Sequence, residues 1–285
     1  MSTAASPSTP LPVRTPGTRA RGRHRRPERH EIPAGAPALL VAVPAEATPA
    51  AQQIADELVS LIRAEQPGID VRVGYLSSTG DESATLAGLL AEATAAELPA
   101  PVVVPLLSGP HDGFQHALGE LRGGLETELT VTEPLGPHPL LAEALHVRLS
   151  EAGLARADRA RLFAINTSAD GIVLGSVGGP EALRLAEVTG VLLAARLAVP
   201  VAAAALDEPG AVAAAAAQLR GTGCAQPALA PYLFGPEVDP ELVKTEAAEA
   251  DVQASEPLGA YPTVARLVLG LYLGALGMEP EPDQS

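Results

Sequence analysis

Apolar and polar positions along this chain follow two rhythms that take turns. Short runs dense in Val, Leu and Ile, at residues 38–43, 71–76, 102–107 and 129–132, read as strands. Between them lie stretches whose apolar residues recur three or four apart: 50–63, where Ile54, Leu58, Leu61 and Ile62 share a face, then 84–96 and 140–149. The alternation resumes with strands at 161–165, 199–205, 228–232 and 252–255 and helices at 179–197, 211–220, 240–249 and 263–273. Strand followed by helix at this spacing predicts right-handed crossovers and parallel sheets covered on both faces.

The rhythm is also a repetition. The segment VPLLSGP at 104–110 returns as APYLFGP at 230–236, 126 residues on, and EPLGPHP at 133–139 returns as EPLGAYP at 256–262, 123 residues on. Two matches in the same order at nearly the same offset point to an internal duplication. The expected fold class is α/β, with two similar doubly wound parallel-sheet units at 37–155 and 156–277, flanked by tails at 1–36 and 278–285.

Composition narrows the function classes. Of 285 residues 47% are hydrophobic, yet only 2% are aromatic and none is Trp. The core must therefore be Ala, Val and Leu in regular layers, and platforms for stacking bases are scarce. Residues 1–31 hold seven arginines (Arg14, Arg19, Arg21, Arg23, Arg25, Arg26 and Arg29) against Glu28 and Glu31, a net of +5. The remaining chain carries 12 basic and 32 acidic residues, a net of −20, which excludes nucleic acid as a partner of the folded body. The basic segment, rich in Pro, Ser and Thr, reads as a disordered, solvated extension. The Arg25-Arg26 pair lacks the apolar run of an export signal, and no stretch approaches the ~20 apolar residues of a membrane span. With one cysteine, Cys224, and no zinc-finger spacing, a cytoplasmic location is expected.

In a doubly wound fold the chemistry lies in the loops after the carboxyl ends of the strands. Only the third of these is chemically rich: Ser108-Gly-Pro-His-Asp-Gly-Phe-Gln-His116, where His111 precedes Asp112. An imidazole there can bind a divalent metal or move a proton near neutral pH, or it can simply bond to backbone at a loop or helix start. His116 is five residues on, off the shared helical face. Ser108, His111 and Asp112 crowd one loop without a nucleophile elbow, so they do not suggest a hydrolase. His138, between two prolines, suits a helix start, and Tyr261 takes its place in the second copy. The glycines of 171–179 precede a helix without the spacing or lysine of a phosphate loop and read as a flexible connection. Cys224 reads as a small buried thiol.

The double unit, the third strand ending in VVVPLLSGPH at 102–111 and the run EPLGPHPLLAEAL at 133–145 resemble the sirohydrochlorin cobalt or iron chelatase family, of the two-repeat, class II chelatase type. The similarity runs over residues 37–277. It implies a lyase that inserts a divalent metal, cobalt or iron as substrate, into a tetrapyrrole in cobalamin or sirohaem biosynthesis. His111 matches the family's histidine after the third strand and would be both metal-binding and catalytic, holding the ion and accepting a pyrrole proton. The family's histidine after the first strand is replaced by Val43 and its acidic residue after the second by Ser77, so two of three metal-site groups are absent. In the second copy the corresponding places fall near 166–168 and at Glu237. Asp81, Glu82 or Asp112 would have to fold inwards to join His111. Sirohydrochlorin carries eight carboxylates, which an acidic body repels unless arginine lines the cleft; Arg63, Arg72, Arg122 and Arg148 are the candidates, none in a strand-end loop. The alternative is a non-catalytic descendant that binds a tetrapyrrole, a metal or a protein partner.

Overall fold

A computed structural model describes residues 32–79, 84–124, 129–155 and 169–278. Leu39–Glu46 forms strand β1, whose side chains from Leu39 to Val43 are all shut away from water, the mark of a strand buried on both faces. Chain order continues through α1 (Pro49–Glu65), β2 (Val71–Ser77), α2 (Leu86–Ala95), β3 (Val102–Pro105), α3 (Asp112–Gly123) and α4 (Pro139–Glu151). The second half comprises β4 (Gly171–Ser176), α5 (Pro180–Leu197), β5 (Val201–Ala205), α6 (Ala211–Gly221), β6 (Pro227–Pro231), α7 (Pro240–Glu249), β7 (Gln253–Ala254) and α8 (Pro262–Ala275). Helix α1 shows why these elements form where they do. Thr48 caps it by accepting from the Ala51 N–H, Pro49 occupies the first turn, and Ala51, Ala55, Leu58, Val59 and Ile62 make one buried stripe.

Both sheets are parallel and share one plan. The first has the order β2-β1-β3 and the second β5-β4-β6-β7, so each half places its first strand in the centre. Register confirms the equivalence: Leu39 faces Val71 and Val102, and Ile172 faces Val201 and Ala228. The duplicated α/β architecture expected from the repeat is what the chain adopts.

Three expectations are corrected. The glycine-rich stretch 171–179 contains the central strand β4, because Ile172, Val173 and Leu174 fill the core while a Cβ on Gly175 would sit 2.8 Å from the Leu206 side chain. Glycine there reflects close packing within a strand, a use that reads the same as flexibility in sequence. Residues 129–132 make only one bridge, between Val103 and Val131, and Pro134 then has no N–H with which to extend the ladder. The loop after β3 is short, for α3 begins at Asp112 and buries Phe114 and Leu118 four apart. The Arg-rich segment up to residue 31, the strand expected at 161–165, and Asp81 and Glu82 lie outside the described residues. The division at 155/156 likewise borders undescribed positions.

The halves are joined by exchanging their last helices. Helix α4, closing the first half, packs on α5 and reaches β6; helix α8, closing the second, packs on α1 and β3, and the two touch each other. One apolar cluster consequently contains Val41 and Val104 of the first sheet, Ile172 and Ala230 of the second, Leu141 and Leu145 of α4, and Val268 and Tyr272 of α8. Polar contacts follow the same crossing. Arg196 Nε donates to His146 Nδ1 at 2.9 Å between α5 and α4, and Tyr272 Oη donates to the Pro37 carbonyl at 2.6 Å. Among the described residues no helix is long and apolar enough to cross a membrane.

A shared core predicts joint unfolding. Leu141→Ala, at a side chain with no exposure, is expected to cost about 2–5 kcal/mol and to lower the urea midpoint of both halves in a single transition. Separate transitions for the two halves would contradict the shared core.

Candidate functional site

The loop after β3 runs Leu106-Leu-Ser-Gly-Pro-His111 and is pinned to the other half at each end. Ser108 Oγ donates to the Tyr232 carbonyl at 2.6 Å, and the Asp112 N–H donates to the Gly178 carbonyl at 3.3 Å. Gly178, with φ of 112°, lies so close that a Cβ there would stand 2.5 Å from the Pro110 carbonyl oxygen and 3.1 Å from the Cα of His111. Only glycine allows the loop after β4 to approach this way. His111 thus sits at the meeting of the two halves, half-buried, as the N-cap of α3. Its Nδ1 accepts from the Phe114 N–H at 3.3 Å. A neutral imidazole whose Nδ1 accepts carries its proton on Nε2, so in this arrangement the outer nitrogen is a donor.

The same construction recurs after β6, in Tyr232-Leu-Phe-Gly-Pro-Glu237. The repeat puts Glu237 where His111 stands in the first half. The Phe234 and Gly235 N–H groups each donate at 2.7 Å, one to each carboxyl oxygen of Glu237. Burial pushes this carboxyl up to about 7, against the opposing pull of those hydrogen bonds. The loop faces the end of β1 and the start of α1, where Ile54 lies against Gly235. A cleft of about 890 Å³ opens between them, with Pro44, Ile54, Phe234 and Val238 among its apolar walls. That volume suits a ligand the size of a cofactor.

Charge around this cleft is mixed. Glu46, Glu57, Asp239 and Glu256 line it with Arg148 and Lys244. Arg148 was among four arginines with no evident place near a strand end; it arrives on the exchanged helix α4. Its guanidinium lies 4.6 Å from the Tyr261 ring centroid, donates to the Leu258 carbonyl at 3.2 Å and pairs with Glu151 at 3.1 Å. Tyr261 Oη donates to Glu151 at 2.6 Å, and with burial the leading cause its phenol is pushed up to about 12. Arg72 pairs with Asp70 and Glu92 instead, and Arg63 donates to the Val71 carbonyl.

The remaining positions separate. Val43 is fully buried in β1, in register with Tyr75. Ser77 ends β2 beside Glu46, whose carboxylate accepts from Thr79. Register transfers these places to the second half as Ser176 and Asp207, which replaces the assignment to 166–168, residues outside those described. His116 is exposed, 3.5 Å from Glu120 one turn along α3. His138 caps α4 through Nδ1, accepting from the Leu140 N–H at 3.1 Å, and its burial lowers its pKa. Cys224 is buried, within 3.3 Å of the Asp170 carbonyl. Among the described residues no group of three or more His, Cys, Asp or Glu side chains could hold a metal ion. Glu237 was named in the sequence only as a second-copy counterpart; its burial and its cleft had no signal in composition or spacing.

Residues 46–152 match the sequence profile of the CbiX family. No curated protein matches the chain in sequence. The fold is similar to that of the sirohydrochlorin chelatase SirB from Bacillus subtilis subspecies spizizenii in complex with cobalt, with a TM-score of 0.60 and 15% identity over 84% of this chain and 94% of that one. SirB from Bacillus subtilis with Fe3+ gives 0.61 and 17% over the same shares. DR2241 from Deinococcus radiodurans, a multi-domain protein with structural similarity to chelatases, gives 0.55 and 18% over 83% of this chain and 55% of that one.

The raised carboxyl of Glu237 makes stability depend on pH. The folded protein keeps a proton there that the unfolded chain, titrating at the ordinary 4.5, has released. Its stabilising contribution is therefore complete below pH ~4.5 and is lost as pH rises through about 7. Relative to Glu237→Gln, the natural protein is expected to lose roughly 3 kcal/mol between those limits, read by urea unfolding at pH 4.5 and pH 8. A difference that stays constant with pH would contradict the assignment.

Proposed function

We propose that this chain, a chelatase fold whose residues 46–152 are of the CbiX family, takes a tetrapyrrole of the sirohydrochlorin type and a divalent metal ion, cobalt or iron, as its substrates and joins them slowly. The observation that carries this reading is the position of His111 after β3, held against the Gly178 backbone where the two halves meet. In metal insertion two pyrrole N–H bonds break, both protons leave, and the ion takes their place by bonding to the four ring nitrogens. A residue that meets the ion has to present a lone pair.

His111 is a compromised ligand for two physical reasons. To offer Nε2 to a metal it must carry its proton on Nδ1, which ends the cap on α3, at about 1 kcal/mol or five-fold in affinity. Companions are also lacking: Val43 has no donor atom and is fully buried, and Ser77 is a weak substitute for a carboxylate. One neutral imidazole holds a divalent ion feebly. These two departures favour a second reading, a non-catalytic descendant that binds the ring, the ion or a protein partner without turnover.

An absorbance assay with sirohydrochlorin and cobalt(II) or iron(II) separates the two. The first reading expects a rate above the protein-free blank that falls about ten-fold or more in His111→Ala. A bound-ring spectrum with no excess rate would establish the second, and neither ring binding nor turnover would reject the first and leave the second only the ion or a protein partner as ligand.

A further inference from the structure

Each sheet has two edges, and an edge strand turns backbone N–H and C=O groups outward as a template for another strand. Among the described residues three of these four edges are blunted. β2 carries Arg72, paired with Asp70 and Glu92, and its Tyr75 makes a bridge with Thr85. β3 is covered by residues 130–132, where the Val103 N–H donates to the Thr130 carbonyl and the Thr132 N–H to the Val103 carbonyl, each at 2.9 Å. β7 is only two residues long. β5 has none of these devices. It reads Val-Ala-Ala-Ala-Ala, without charge or proline, pairs with β4 alone and is fully buried only at Ala204.

The inner side of β5 is fixed by the Ile172 N–H, which donates to the Pro200 carbonyl, and by the Leu206 N–H, which donates to the Ser176 carbonyl. Bonding along a parallel ladder alternates, so the even-numbered residues face β4 while Val201 and Ala203 present N–H and C=O outward. The helices beside this edge are apolar as well. Among the described residues four large apolar side chains are exposed, and two of them, Val188 and Val191, lie one turn apart on α5, Val191 with 70% of its surface in water. On the other face α6, which also packs on β5, exposes alanine at 214 and 217. Contiguous apolar surface of this kind marks a contact site.

We propose that the β5 edge docks a second copy of this chain, the two β5 strands pairing antiparallel about a two-fold axis through Ala203. Charge and spacing both select this occupant. A body of net −20 repels its own kind over most of its surface, and an uncharged strand is where two such bodies can meet. Paired strands lie about 4.8 Å apart, so the two α5 helices, each packed on β4 and β5, come about 10 Å apart, an ordinary helix-packing distance. A Cβ on Gly190 would stand 3.4 Å from Val201 Cγ1, which sets that level of α5 over Val201. Ala203 is about 6.6 Å further along β5, or about four residues back along α5, so the axis crosses the helix near Leu185 and Ala186. Arg184 then faces Glu187 of the second copy, twice over, while Val188 and Val191 face its Leu183 and Pro180. Arg184 and Glu187 are both exposed, and the exposed pairing of Arg184 with Glu181 on its own helix is weak enough to be exchanged. Neither β5 nor α5 lines the cleft beside Glu237, so pairing leaves it open.

The test is sedimentation velocity of the full chain from about 1 to 100 μM, repeated in about 0.5 M sodium chloride to screen association by opposite charge. The expected species has twice the chain mass of 29.0 kDa at both salt concentrations. Ala203→Pro removes an N–H that only a partner strand would use, and should leave a monomer. Arg184→Glu sets like charges against each other across the axis and should weaken the dimer by about ten-fold or more, with Arg184→Glu/Glu187→Arg restoring it. Arg266→Glu, the same charge change on α8, should have no effect. If Ala203→Pro folds badly, the exposed Arg184 and Glu187 variants decide alone. A mass of 29.0 kDa throughout overturns the proposal and leaves the edge to a strand of another chain. So does a dimer that Ala203→Pro and Arg184→Glu leave intact, or one that dissolves in the higher salt.

Discussion

Helix exchange is the constraint on which the rest of this structure depends. A three-stranded sheet with few aromatic side chains has little apolar surface with which to close its own core. Sending α4 onto the second half and α8 onto the first places both sheets in one continuous cluster of Ala, Val and Leu side chains. Burial of that area, at roughly 25 cal/mol per Å², is the main force that holds two similar halves in one orientation. The strand-end loops face each other because of it, and a cleft between them is a geometric consequence. Arg148 belongs to the cleft for the same reason, carried there by a helix that begins in the other half.

Duplication supplies two sets of strand ends, and the two have diverged in chemistry while keeping their backbone. After β3 stands an imidazole that serves as a helix cap; after β6 stands a half-buried carboxyl that desolvation makes weakly acidic. Each is held by nearby backbone N–H groups, Phe114 in the first turn of α3 for one and Phe234 with Gly235 in its own loop for the other. The contact across the halves is tight at His111, where Gly178 lets backbone meet backbone, and open at Glu237, where the side chain of Ile54 meets Gly235. Space for a ligand therefore lies beside the carboxyl. In relatives of the chelatase type the resemblance would place metal-binding side chains after the first and second strands; here Val43 fills the core and Ser77 ends an exposed strand tip.

How far the sequence could be read depended on what each residue reports. Strands β1, β2, β5 and β6 were legible because aliphatic runs of that length have few other uses, and α7 was legible to the residue because Pro240 and Asp239 mark its start. Helix α3 was not, since Gly113, Gly119 and Gly123 dilute its apolar stripe to Phe114, Leu118 and a partly buried Leu121. Strand β4 was misread because its two glycines look like a hinge until Leu206 and Cys224 are seen packed against them. His111 was visible as chemistry, but its role as a cap depends on a helix the pattern concealed.

Sequence alone determined the α/β alternation, the duplication and the equivalence of His111 with Glu237, because these follow from periodicity and self-similarity along one dimension. Tertiary structure decided which helix covers which sheet, and hence that Arg148 reaches the cleft, that Val43 is sealed and that Glu237 is desolvated. Burial and pKa are properties of what surrounds a side chain, and in this protein the surroundings come from the opposite copy, more than a hundred residues away along the chain.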